Sequence, residues 1–328
     1  MDGVLALAGA NLLSPMILSF ALGLAAALAR SDLSVPEAAA KALSIYLLFA
    51  IGFKGGAAVA SHGVDARLVF SLIAGVALSF ALPLVAFALL RAVTRLSVVD
   101  AAAVAAHYGS ISIVTFAAAT SALTALDIGF EGYMVAVAAA MEAPAILSAL
   151  WLATRGSGQK VEGGMWAEIL LNGSIVLLVG AFAIGLISGP KGLEDLSSFI
   201  VAPWKGVLCL FLLDMGLVAG RGLRGSRGVI TPILLAFGIG MPVIGAAFGL
   251  AAGLVLGLSP GGVAMMMVLA ASSSYIAVPA AMRVALPQAN PALSLTLSLG
   301  ITFPFNLTIG IPAYIAVAQS VAPTVTGG

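Results

Sequence analysis

Apolar residues fill this chain in runs as long as a bilayer is thick, and charge is largely confined to the short turns between them. A helix needs about 20 predominantly apolar residues to span the hydrocarbon core, so the runs predict about ten spans. They centre on 14–29, 36–58, 68–92, 99–122, 133–154, 166–187, 198–219, 229–256, 261–286 and 291–318. Backbone polar groups in lipid must be satisfied internally, and runs of this length satisfy them as helices. The expected fold class is therefore an all-α polytopic membrane protein. Hydrophobic residues make up 62% of the 328 and charged residues 8%, against about 25% charged in a soluble domain. The net charge of +1, with no basic run beside aromatic residues, argues against a nucleic-acid partner. The one cysteine, Cys209, lies in an apolar stretch and cannot pair within the chain. The N-terminal MDGVLALAGA carries an acid and no basic region, so a cleaved leader is not expected.

Two of the runs are interrupted by hydroxyl-rich segments, AHYGSISIVTFAA at 106–118 and ASSSYIAVPAAMR at 271–283. Irregular backbone survives at membrane depth only where it is buried in protein or lines a cavity, so paired breaks imply an internal site. The breaks belong to a larger pattern. FALGL at 20–24 returns as FAIGL at 182–186, an offset of 162, and Leu48, Gly52 and Gly56 return as Leu212, Gly216 and Gly220, an offset of 164. Ser110, Ala117, Ala118, Ala122 and Leu123 return as Ser273, Ala280, Ala281, Ala285 and Leu286 at offset 163, and Pro144 as Pro304 at offset 160. This spacing predicts a duplication: helices 1–5 over 1–154, a cytoplasmic connector over 155–165, and helices 6–10 over 166–328, all in one integrated membrane domain. An odd number of spans per copy makes the second copy inverted, with broken helices 4 and 9 crossing near the midplane. With the N-terminus outside, ten of the fourteen Lys and Arg fall in inside loops, as the positive-inside rule requires. Both termini are then expected outside.

Each break leaves free carbonyls at one helix end and free amides at the next. Amides and dipoles near 112–114 and 274–276 favour an anion. Carbonyls near Gly109 and Ser272, with hydroxyls of Ser110, Ser112, Thr115, Ser272, Ser273 and Ser274, offer oxygen ligands to a hard cation such as sodium. The expected substrate-binding set is Gly109, Ser110, Ser112, Thr115, Ser272, Ser273 and Ser274, and the expected sodium set is Ser110, Ser272, Ser274 and Glu142. Glu142 qualifies as a mid-span acid two residues before Pro144, which frees a carbonyl beside it. Opposite charges bound side by side lower the cost of dehydrating each, which favours coupled symport over a channel. A single serine in a membrane helix more often just bonds back to a carbonyl, whereas matched serines at two related breaks point to a site. Lys54 and Asp214 lie in repeat-equivalent segments and are expected to pair or to line an ion path, and His107, just before the first break, is a second-rank candidate. Met265 to Met267 read as lipid-facing residues or core filler. With two histidines, one cysteine and no paired intramembrane aspartates, an enzyme is not expected.

These residues resemble the SbtA-type sodium-dependent bicarbonate transporters, whose fold is related to bile-acid symporters and sodium/proton antiporters. The resemblance covers nearly the whole chain. It is carried by Val99-Asp100-Ala101, Ala271 to Ser274, Ile276, Pro279 and Arg283, Pro287 with Ala289-Asn290-Pro291, Ile51-Gly52 with Gly55-Gly56, and Glu142 to Ala145. It implies a homotrimer of ten-span protomers in the plasma (inner) membrane, each with a gate domain and an elevator-like core that moves bicarbonate inward with co-transported sodium. The family motif reads Ser-Gly-Ser-Thr where this chain has Ser112-Ile113-Val114-Thr115, and Asp and a Ser-Gly pair where it has Tyr275 and Ala277-Val278. Those changes crowd the site and make it less polar, so another small organic or inorganic anion, or sodium/proton antiport, stand as alternatives. Family members present a longer charged connector to a PII-like cytoplasmic regulator, and the short connector here gives that partner little to hold.

Overall fold

A computed structural model of the chain describes residues 13–63, 65–142, 144–157, 173–225, 231–275, 278–279, 282, 286 and 288–322. Among these residues there is helix and no strand. The helices are α1 (Pro15–Leu28), α2 (Glu37–His62), α3 (Ala66–Val93), α4 (Val98–His107), α5 (Ile113–Ala125), α6 (Met134–Ala140), α7 (Pro144–Ser157), α8 (Gly173–Asp195), α9 (Ser197–Ile200), α10 (Trp204–Gly225), α11 (Pro232–Val255), α12 (Pro260–Ala271) and α13 (Pro291–Val321). Among the described residues six helical segments are long and apolar enough to cross a membrane: Glu37–Ser61, Ala66–Val93, Val176–Asp195, Ser197–Gly225, Pro232–Val255 and Pro291–Val321. Most of the connector expected at 155–165, the predicted turn residue Pro287, and Ile276, Ala277 and Arg283 lie outside the described residues.

The short helices α4, α5 and α12 are central, and the long α3 and α8 lie at the periphery. Every residue from Ala101 to His107 in α4 and from Gly261 to Ala271 in α12 is buried. A helix buried on all sides has no amphipathic face, and α12, like α4 between Asp100 and His107, is apolar all round. Large apolar side chains instead point outward from α3 (Val69, Phe70, Ile73) and α8 (Val176, Val179, Ile187). Outward Leu, Val, Ile and Phe are stable only where the surroundings are themselves apolar, which is the lipid.

Two helix pairs, α1 with α10 and α2 with α8, pack backbone to backbone. A Cβ built on Gly216 would lie 2.1 Å from the Phe20 carbonyl oxygen, and one on Gly56 would lie 1.9 Å from that of Phe182. Gly23 and Gly185 meet Leu213 and Phe53 in the same way. Only glycine permits such approach, which in lipid replaces the hydrophobic drive with van der Waals contact. Prolines shape the rest. Pro144 opens a new helix, so the fifth span is broken at Glu142, whereas Pro304 lies between two π-helical stretches, Thr296–Thr302 and Asn306–Gly310, that keep α13 continuous.

Candidate functional site

The first break forms because α4 runs into Tyr108-Gly109 and the chain cannot restart until Ser112 caps α5. The Ser112 Oγ accepts the Thr115 amide at 3.2 Å, leaving the amides of Ile113 and Val114 without a backbone partner among the described residues. Gly109 fits here for a steric reason: a Cβ would lie 2.4 Å from the Pro83 ring and the Ser79 carbonyl oxygen of α3. The Ser79 hydroxyl in turn donates to the Met141 carbonyl at 2.7 Å, fixing the break that carries Glu142.

The second break follows α12 into extended backbone at Ser272, with φ −70° and ψ 159°. Its three serines diverge. Ser272 donates back to the Val268 carbonyl at 2.7 Å, and Ser273 donates to Ser298 of α13 at 2.9 Å. Ser274 is tied to the first break: its amide donates to the His107 carbonyl at 2.8 Å, and the His107 Nδ1 is hydrogen-bonded to the Ser274 carbonyl. The two interruptions therefore touch, through paired bonds between residues 107 and 274. Tyr275, next along, packs its ring edge-on to Phe303 at 5.3 Å, and its hydroxyl faces Ser112 without reaching hydrogen-bond geometry.

The Ser110 hydroxyl donates to Glu142 Oε2 at 3.4 Å, long for an O–H···O bond. Ser110, Ser112, Thr115, Glu142, Ser272, Ser273 and Ser274 are all 4% exposed or less. The structure thus brings Ser110 to Glu142, Ser112 to Tyr275 and Ser274 to His107, while Ser272 and Ser273 point to their own helix and to α13. Thr115 sits one turn into α5, joined to Ser112 through its amide.

Sequence reasoning passed over Asn306 and Tyr314. The Asn306 amide donates to the Ala271 carbonyl at 2.8 Å, pairing the end of α12, and the Tyr314 hydroxyl donates to Asn306 Oδ1 at 3.0 Å. Asn306 is the one amide side chain between 292 and 318, which was the available signal, since polar groups at this depth are costly. Behind the first break, Thr302 donates to the Gly238 carbonyl at 2.6 Å and takes the Tyr108 hydroxyl at 2.9 Å. The expected pairing of Lys54 with Asp214 is not made. The Lys54 ammonium lies over the Trp204 ring, 4.3 Å from its centroid, and the charge acting on Asp214 is Arg221. An aromatic face offers a cation partial compensation without the dehydration of a second charge.

Acids hold the outer ends of both central half-helices. Glu131 accepts the Ser259 amide at 2.7 Å and its hydroxyl at 3.0 Å, at the start of α12. Asp100, in the first turn of α4, accepts the Asn290 amide at 2.8 Å. Beside Glu131 an open pocket is lined by Asp65, Arg67, Tyr133 and Ser259.

A family model described as the Na+-dependent bicarbonate transporter superfamily matches residues 15–319. A comparison with curated proteins gives no match.

Proposed function

The chain belongs to the Na+-dependent bicarbonate transporter superfamily, and from that premise we propose that it is a symporter carrying a small anion, bicarbonate foremost, together with sodium. One observation carries this reading: two helix breaks, buried among apolar helices, are hydrogen-bonded to each other at His107 and Ser274 and present unpaired α5 amides there. Amides at a helix N-terminus favour an anion. Glu142, with Ser110 beside it and the carbonyls and hydroxyls of Ser272 and Ser274 on the other break, supplies oxygens for sodium. Charge compensation between the two solutes makes joint occupancy cheaper than either alone, which is the physical basis of coupling.

The reading includes two inverted five-helix repeats. Supporting it, α1 meets α10 as α2 meets α8, glycine against carbonyl in each pair, and acids at Asp100 and Glu131 fasten α4 and α12 alike. It also includes a gate of α1, α2, α8 and α10, a core that carries the crossing between the two membrane faces, a homotrimer, and an inner-membrane location with both termini outside.

The test is uptake of labelled bicarbonate and a panel of other small anions by proteoliposomes, with and without an inward sodium gradient. Saturable uptake driven by sodium is expected, and Ser112→Ala and Ser273→Ala should each lower it severalfold while the protein still inserts. Uptake indifferent to sodium, or untouched by both substitutions, contradicts the proposal.

A further inference from the structure

Two polar atoms at the crossing have no hydrogen-bond partner among the described residues: His107 Nε2 and the Tyr275 hydroxyl. Both side chains are more than nine-tenths buried, His107 at 0% exposure and Tyr275 at 8%. Buried polar groups are nearly always paired, so each exception asks what chemistry would complete it. The two atoms differ in kind. A carbonyl only accepts, so the hydrogen shared between His107 Nδ1 and the Ser274 carbonyl belongs to the ring. In the neutral imidazole Nε2 is then a bare acceptor, one carbon away from the nitrogen that joins the two breaks. The groups gathered at the start of α5 are donors instead: the amides of Ile113 and Val114, the Ser112 hydroxyl, whose oxygen already takes the Thr115 amide, and the Tyr275 hydroxyl that faces it.

An anion with no hydroxyl satisfies those donors and leaves Nε2 unpaired. An oxyanion that bears a hydroxyl fills both roles, its charged oxygens accepting from the α5 side and its O–H donating to the ring. We propose that His107 is a specificity-determining residue whose Nε2 accepts the hydroxyl hydrogen of the transported anion, so that the site selects hydrogen carbonate over monoanions of similar size that have no hydroxyl. The inference rests on the reading of the crossing as the anion site. Sites built to bond a substrate hydroxyl discriminate strongly against analogues without one, because the buried partner is then left unpaired.

The test is sodium-driven uptake of labelled hydrogen carbonate by the reconstituted protein, with unlabelled hydrogen carbonate, nitrate or formate as competitor. Half-inhibition of the wild type should need roughly tenfold more nitrate or formate than hydrogen carbonate. Equal potency of the three overturns the proposal and requires no variant. His107→Asn keeps an N–H on the Ser274 side and removes the acceptor from the position of Nε2, because the Asn Oδ1 sits one bond nearer the backbone. Its KM for hydrogen carbonate should rise roughly tenfold while half-inhibition by nitrate moves less than about twofold. Parallel weakening for both anions would mean that His107 only braces the crossing, and also overturns the proposal. Should the variant fail to insert, the wild-type competition series decides alone. Wild type that takes up no hydrogen carbonate with sodium contradicts the proposed function itself, whereas normal uptake without discrimination counts against His107 alone.

Discussion

Glu142 shows how much a single side chain can owe to its surroundings. A carboxyl group 4% exposed, at a break between two helices, with one long bond from Ser110 as its hydrogen-bond contact among the described residues, is poorly compensated by those residues alone. A cation ligand role predicts that Glu142→Gln raises the sodium concentration for half-maximal uptake by about tenfold, the effect of removing one charge-assisted contact. Superimposable sodium curves for variant and parent would leave Glu142 with a structural duty. The acid and its proline could be read from the sequence, because an ionisable residue inside an apolar run stands out. The partner could not: Ser110 and Glu142 are 32 positions apart and meet through Ser79, which fixes the Met141 carbonyl. Gly109 was legible as a residue of the first break, whereas its close approach to Pro83 and Ser79 was not.

At the scale of elements, the same residue type has opposite consequences according to what lies across from it. Gly216 and Gly56 face carbonyl oxygens about 2 Å from where a Cβ would sit, so Gly216→Ala should cost about 1–3 kcal/mol and lower the melting temperature in detergent. Gly240 in α11 has nothing within 4 Å, and Gly240→Ala should gain up to about 1 kcal/mol through helix propensity. Equal melting temperatures for the two variants would refute the backbone-contact account of the α1–α10 pair. The prolines make a parallel contrast. Pro144 and Pro304 occupy corresponding places in the sequence pattern, yet one starts a fresh helix after a break and the other sits between π-helical stretches in a continuous rod. Both outcomes relieve the missing N–H, and the choice between them lies in tertiary bonds such as that from Asn306 to the end of α12.

For the whole molecule, the inside-positive pattern makes an orientation testable. At one end Arg221 and Arg224 donate to the carbonyls of Leu33 and Ala27, while Asp65, Arg67 and Glu131 gather at the other. In a Cys209→Ala background, Asp127→Cys should react with a membrane-impermeant maleimide on intact cells, and Ser31→Cys only after permeabilisation. The reverse pattern would invert the topology and with it the assigned direction of entry. Apolar runs, their breaks and their charges were enough to establish an all-α membrane protein with two interrupted spans, because hydrophobic length and backbone satisfaction in lipid are local properties of a chain. That residue 107 would bond residue 274, that Ser272 would bond Val268 and Ser273 would bond Ser298, that Asn306 would close α12 and that Lys54 would choose Trp204 over Asp214 were decided only in three dimensions. Each of those contacts depends on where two distant segments meet, and the apolar faces that bring them together carry no record of which polar atom lies opposite.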